Sequence, residues 1–152
     1  MTASQNCINL IKLFEGYKPK AYLCPAGVPT IGYGSTMYQT GLKIKLSDTI
    51  NEQQANELLM WELKNKAYAL HGLRLNQNQF DALLSFCFNL GIGAFAKSTL
   101  KKKIVVNPND ATIKAEFMKW NKARVGGKLI ELKGLTRRRI AEAELYFKVL
   151  FV

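Results

Sequence analysis

A carboxylic acid, a thiol and a hydroxyl stand at fixed spacing near the start of the chain: Glu15, then Cys24 after eight intervening residues, then Thr30 after five more. A carboxyl group can give or take a proton, and a hydroxyl can hold a water by donating and accepting. A thiol with an ordinary pKa of about 8.5 is largely neutral near pH 7 unless its surroundings stabilise the thiolate. Such a set could run acid–base hydrolysis, in which one group protonates a leaving oxygen while others direct the incoming water. A lone glutamate closing a helix is ordinarily a surface residue, so the spacing is what singles Glu15 out.

The surrounding pattern says what must position these groups. Ser4 can cap a first helix whose Cys7, Ile8, Leu10, Ile11 and Phe14 fall at helical spacing, with Gly16 as its breaker. Glu15 then lies at a helix C-terminus, where the dipole disfavours an ionised carboxylate and suits a proton donor. From Tyr17 to Leu46, short β-like runs alternate with Pro19, Pro25, Gly27, Pro29, Gly32, Gly34 and Gly41. This predicts an antiparallel sheet of two or three strands, with the turn at Pro25 to Gly27 bringing Cys24 and Thr30 to one side. A helix from Asn51 to about Leu70 follows, partly apolar along its stripe and about 30 Å long at the usual rise per residue.

Asn76 to Leu90 is apolar nearly all round and reads as a buried helix. Ala96 to Ile104, Asn109 to Asn121 and Thr136 to Leu150 read as further helices, with Asn107-Pro108 and Gly126-Gly127 as punctuation. The expectation is an α+β fold: a small N-terminal antiparallel β lobe over about residues 15–50, a connecting helix over 51–72, and a larger all-helical lobe over 73–152 with residues 1–14 packed on it.

Composition bounds the partners. At 152 residues, 48% hydrophobic and 22% charged, the chain suits one globular domain. It contains no apolar run near the roughly 18 residues of a membrane span and no visible signal peptide. Its 22 lysines and arginines against 11 acids give a net charge of +11, which attracts polyanions such as nucleic acid, anionic lipid or envelope polymers. Nucleic acid is not expected, because the aromatic residues sit in core-like runs and no helix-turn-helix or RNP pattern is visible. Cys7, Cys24 and Cys87 are odd in number and lack metal-ligand spacing, so neither a disulfide framework nor a metal site is expected. His71 is the single histidine.

The segment Glu15, Cys24, Thr30 with its tail Thr30-Ile31-Gly32-Tyr33-Gly34 resembles the active-site stretch of the T4-type phage lysozymes, glycoside hydrolase family 24 muramidases, whose pattern is Glu, eight residues, Asp or Cys, five residues, Thr. A second stretch is similar to the same family: Gln79-Phe80-Asp81-Ala82-Leu83, Ser85-Phe86, Phe88-Asn89 and Gly91. Trp120 to Ala123, Gly126-Gly127, and Gly134-Leu135 through Arg138-Arg139 and Glu142 resemble its C-terminal motifs. The likeness runs from about Leu10 to Phe147.

The resemblance implies a lysozyme-like fold with its cleft between the two lobes. It also implies hydrolysis of the β-1,4 bond between N-acetylmuramic acid and N-acetylglucosamine in bacterial peptidoglycan, with no metal or organic cofactor. Glu15 would be the general acid, Thr30 would hold the attacking water, and Thr36, Phe88 and Ser98 would bind substrate. One guanidinium among Arg137, Arg138 and Arg139 would approach Glu15. Cys24 stands where most members carry Asp; it could orient water, act as base or nucleophile, or leave charge stabilisation to other groups. The family's biology implies a monomeric endolysin that waits in the host cytoplasm and reaches the periplasm and wall after a holin opens the membrane; an upstream membrane segment would suit an exported variant. The alternative is a non-enzymatic cationic protein that binds the wall or disrupts membranes, with the basic amphipathic stretch Leu132 to Val152 as its active part.

Overall fold

The first helix stops where a glycine lets the chain reverse. In the computed structural model, which describes residues 1–149, α1 (Gln5–Glu15) ends at Gly16, whose φ of +68° is left-handed and whose N–H donates to Lys12 O at 2.9 Å. The chain forms two compact units, one of Ile8–Asn65 and one of Met1–Cys7 with Lys66–Val152.

In the first unit, β1 (Lys18–Leu23) runs antiparallel to β2 (Pro29–Gly32), pairing Lys18 with Gly32, Tyr22 with Thr30 and Leu23 with Pro29, with a register irregularity between Lys18 and Tyr22. A third extended segment lies along the other edge of β1: Ala21 N donates to Asp48 O at 3.1 Å and Ile50 N to Pro19 O at 2.8 Å. α2 (Glu52–Lys66) starts at Asn51, which exchanges side-chain and backbone hydrogen bonds with Gln54 at 2.8 and 3.0 Å, a reciprocal cap. Ile11, Ile31, Ile44, Leu58, Leu59 and Leu63 form the buried interior of this unit.

The second unit is built on α3 (Gln77–Leu90), whose residues 78–87 are all buried. Its start is fixed by a capping box between Asn76 and Gln79. The segment read as one helix from Ala96 to Ile104 is two, α4 (Ile92–Lys97) and α5 (Thr99–Val106), broken at Ser98, whose hydroxyl accepts from Lys101 N at 3.0 Å. α6 (Ile113–Met118) is shorter than its predicted span.

This unit is not all-helical. β3 (Lys122–Val125) and β4 (Lys128–Glu131) form an antiparallel hairpin closed by Gly126-Gly127, both at positive φ, +58° and +80°. Two consecutive left-handed residues make the tight turn that matches strand twist, and glycine reaches that conformation without strain. α7 (Lys133–Tyr146) follows, and Leu150 of the predicted last helix lies outside the described residues.

α7 packs inward rather than lying free as an amphipathic surface helix. Arg139 and Glu142 are 0% exposed and Arg138 4%. Arg139 Nε lies 2.7 Å from Glu142 Oε1, Arg138 Nε 3.5 Å from Oε2, and Ser85 Oγ on α3 donates to Oε2 at 2.6 Å. Burial pushes the Glu142 carboxyl pKa up and the Arg139 guanidinium pKa down, and their mutual attraction opposes both shifts. Arg139 also stacks over Phe86, 5.1 Å from the ring centroid, while Phe95, Phe117 and Trp120 meet that ring edge-on. Of the three arginines, only Arg137 faces solvent.

Removing the carboxylate while leaving both guanidiniums buried should be costly. Glu142→Leu is expected to lower unfolding free energy by about 3–5 kcal/mol in urea titrations, the usual consequence of stranding a buried charge. A loss below about 1 kcal/mol would show that the pair adds nothing beyond a well-packed apolar residue.

Candidate functional site

Glu15, half-buried at the end of α1, is held against a glycine. A methyl group placed on Gly34 would lie 2.9 Å from Glu15 Oε2 and 3.4 Å from its carboxyl carbon. Only glycine leaves that space, and the φ of +88° at Gly34 would strain any other residue. The seat is stiffened nearby. Lys12 Nζ sits 5.0 Å over the Tyr33 ring, Tyr33 OH donates to Glu52 Oε1 at 3.2 Å, and Tyr17 OH donates to Ile50 O at 2.8 Å.

Cys24 and Thr30 come together through the tight turn that closes β1 onto β2. Cys24 N donates to Val28 O at 3.0 Å and Gly27 N to Cys24 O at 2.8 Å. The backbone N–H groups of Val28 and Ala26 and the Thr30 side chain lie close enough to the Cys24 thiol to favour its charged form. Hydrogen bonds to the charged form favour it, so the half-buried thiol is held below its ordinary pKa, Val28 contributing most and partial desolvation opposing. Thr30, 4% exposed, also donates to Val28 O at 2.9 Å.

Tyr22 joins these groups and was not singled out from the sequence. It pairs with Thr30 across the sheet, and its phenol is pushed up first by burial, then by the charges of Glu15 and Cys24. Its position two residues before Cys24 is the one sequence signal, since strand residues two apart share a face. The arrangement thus gathers a carboxyl, a phenol, a stabilised thiol and a hydroxyl within the first unit. Among the described residues no group of three His, Cys, Asp or Glu side chains is placed to hold a metal ion.

The remaining candidates are placed as follows. Thr36 is exposed, and its backbone oxygen accepts from Ile44 N at 3.2 Å. Phe88 is half-buried near the end of α3. Ser98 is 4% exposed; its hydroxyl donates to Phe95 O at 2.6 Å while capping α5, so the α4–α5 corner occupies it. Arg138 and Arg139, read as possible partners of Glu15, are engaged with Glu142.

The phage lysozyme family model matches residues 12–142. The chain is 41% identical over 149 residues to the endolysin of Acyrthosiphon pisum secondary endosymbiont phage 1, covering 96% of this chain and 98% of that protein. It is 39% identical over 126 residues to the endolysin of Salmonella phage P22, covering 81% and 86% respectively. Among solved structures, the endolysin from Escherichia coli O157:H7 phage FAHEc1 is similar with a TM-score of 0.90 and 34% identity, over 100% of this chain and 97% of that one.

The three thiols should separate by reactivity. Cys7 and Cys87 are buried, and burial raises both, Cys87 to about 12. Iodoacetamide followed by mass spectrometry should therefore modify Cys24 first. Its rate should rise with pH to a midpoint below the roughly 8.5 of a free cysteine, because the thiolate forms at lower pH. A midpoint at or above that of free cysteine would contradict the hydrogen-bonded thiolate.

Proposed function

Because the chain belongs to the phage lysozyme family, we propose that its catalytic centre is the Glu15, Cys24 and Thr30 cluster, with Glu15 as general acid. The protein is a muramidase endolysin, a glycoside hydrolase that cleaves the β-1,4 bond between N-acetylmuramic acid and N-acetylglucosamine in peptidoglycan. The observation that carries the site assignment is the seating of the Glu15 carboxyl on Gly34, in the unit where Tyr22 couples electrostatically to both Glu15 and Cys24.

In this reading Glu15 gives a proton to the leaving glycosidic oxygen as the C1–O bond breaks and positive charge grows on the sugar ring. Water supplies the new C1–O bond, and the Cys24 thiolate takes the water's proton. Thr30 holds that water with its hydroxyl. The hydrogen bonds that stabilise the thiolate support a base at this position and make the departure from Asp chemically workable. Tyr22 adds a polar wall beside Glu15 and Cys24.

Thr36 and Phe88 are substrate contacts in this reading, by a hydroxyl and by an apolar face. Ser98 serves binding indirectly, through the corner it caps. The protein acts on the cell wall as a monomer that gains access once a holin has opened the inner membrane. Its basic surface, net charge +11, favours approach to the anionic envelope.

The test is turbidity loss of outer-membrane-stripped cells together with an assay for new reducing ends on purified peptidoglycan. Glu15→Gln should cut both by about 10²–10⁴, the usual contribution of a general acid. Cys24→Asp should stay within about tenfold of wild type, and Cys24→Ser, which offers no anion, should fall well below it. Reducing ends that persist undiminished in Glu15→Gln would remove Glu15 from the mechanism.

A further inference from the structure

The β3–β4 hairpin carries apolar side chains that are left exposed among the described residues. Every residue from Arg124 to Gly134 is exposed, among them Val125 at 49%, Leu129 at 61%, Ile130 at 41% and Leu132 at 36%. Register places Arg124 opposite Leu129, Val125 opposite Lys128 and Ala123 opposite Ile130. Leu129 and Ile130, being consecutive in a strand, point to opposite faces of the ribbon, so neither face is hidden. A cluster of exposed apolar residues rimmed by charge marks an interaction site.

The hairpin is held at its base and unsupported at its tip. Leu132 N donates to Asn121 O at 2.9 Å, and the buried Asn121 donates through Nδ2 to Thr136 Oγ1 at 3.1 Å. Beyond that anchor, Lys122, Arg124, Lys128 and Lys133 flank the apolar side chains against one acid, Glu131. A soluble polyanion would satisfy these cations yet leave Val125, Leu129 and Ile130 in water. An anionic lipid surface satisfies both, because apolar groups enter the acyl boundary while lysines and arginine stay at the phosphates.

Size agrees. A four-residue strand reaches about 13 Å, enough for the tip to enter the roughly 5–10 Å interfacial layer and too short to cross a bilayer. Among the described residues no helix is long and apolar enough to cross one either.

We propose that the Val125–Ile130 tip of the hairpin is a docking wedge for anionic phospholipid membranes, with Val125, Leu129 and Ile130 inserted and Lys122, Arg124, Lys128 and Lys133 on the headgroups. This activity is separate from wall hydrolysis and does not depend on it.

The experiment is co-sedimentation of the intact protein with phosphatidylglycerol–phosphatidylcholine vesicles and with phosphatidylcholine alone. Wild type should partition to the anionic vesicles at least about tenfold more strongly, and Leu129→Ser with Ile130→Ser should lose about tenfold of that binding. Lys122→Glu with Lys128→Glu should lose as much. Lys64→Glu with Lys102→Glu, on α2 and α5 rather than on the hairpin, changes net charge equally and should stay within about twofold. Leu129→Trp should give a blue-shifted emission on anionic vesicles, and the serine pair should release reducing ends from purified peptidoglycan at the wild-type rate. Undiminished binding by the serine pair, equal loss in the Lys64 and Lys102 control, or a tryptophan that stays water-like on the vesicles would each overturn the wedge.

Discussion

A charged group inside a protein is tolerable only if its partners travel with it, and the larger unit is arranged around that requirement. Glu142 brings Arg138 and Arg139 from its own helix and takes a hydrogen bond from Ser85 on α3. Arg139 in turn reaches Asn89 Oδ1 at 2.8 Å and covers the Phe86 ring. Register between α3 and α7 is therefore set by polar contacts that a sliding helix would break, while the aromatic cluster around Phe86 supplies the apolar burial. The segment that carries Phe88 and Asn89 gains its fixed position from this arrangement.

The smaller unit meets a different constraint, room for a carboxyl group. Gly16 ends α1 immediately after Glu15, and Gly34 leaves the space its oxygen occupies. The turn after β1 then aims donors at the thiol two residues beyond Tyr22. The residues proposed to carry the chemistry lie where helix end, hairpin turn and glycine-rich tail meet. Each of those devices costs conformational freedom and would be unexplained if Glu15 were a surface residue.

Much of this was legible in the sequence because it rests on local rules. The spacing of Glu15, Cys24 and Thr30 survives folding because strand alternation and a turn at Pro25 to Gly27 bring the last two together. α3 declared itself by being apolar nearly all round. The β3–β4 hairpin did not, since a ribbon exposed on both faces has no reason to alternate polar with apolar residues, and only the paired glycines betrayed it. That the Ser98 hydroxyl caps a helix was not legible, because a hydroxyl's partner is fixed by backbone geometry that spacing does not reveal. The burial of Arg138 and Arg139 was hidden for a related reason: three consecutive arginines read as solvated until the carboxylate beside them is seen to be interior.

Thr30 has a single hydroxyl proton and two neighbours able to accept it, the Val28 carbonyl and the Cys24 sulfur. A hydroxyl swings between acceptors at little cost, so the neighbour carrying more negative charge decides its direction. In the structure the carbonyl takes that bond, at 2.9 Å. The side chain proposed to hold water therefore shares the direction of its one proton with the sulfur proposed as base.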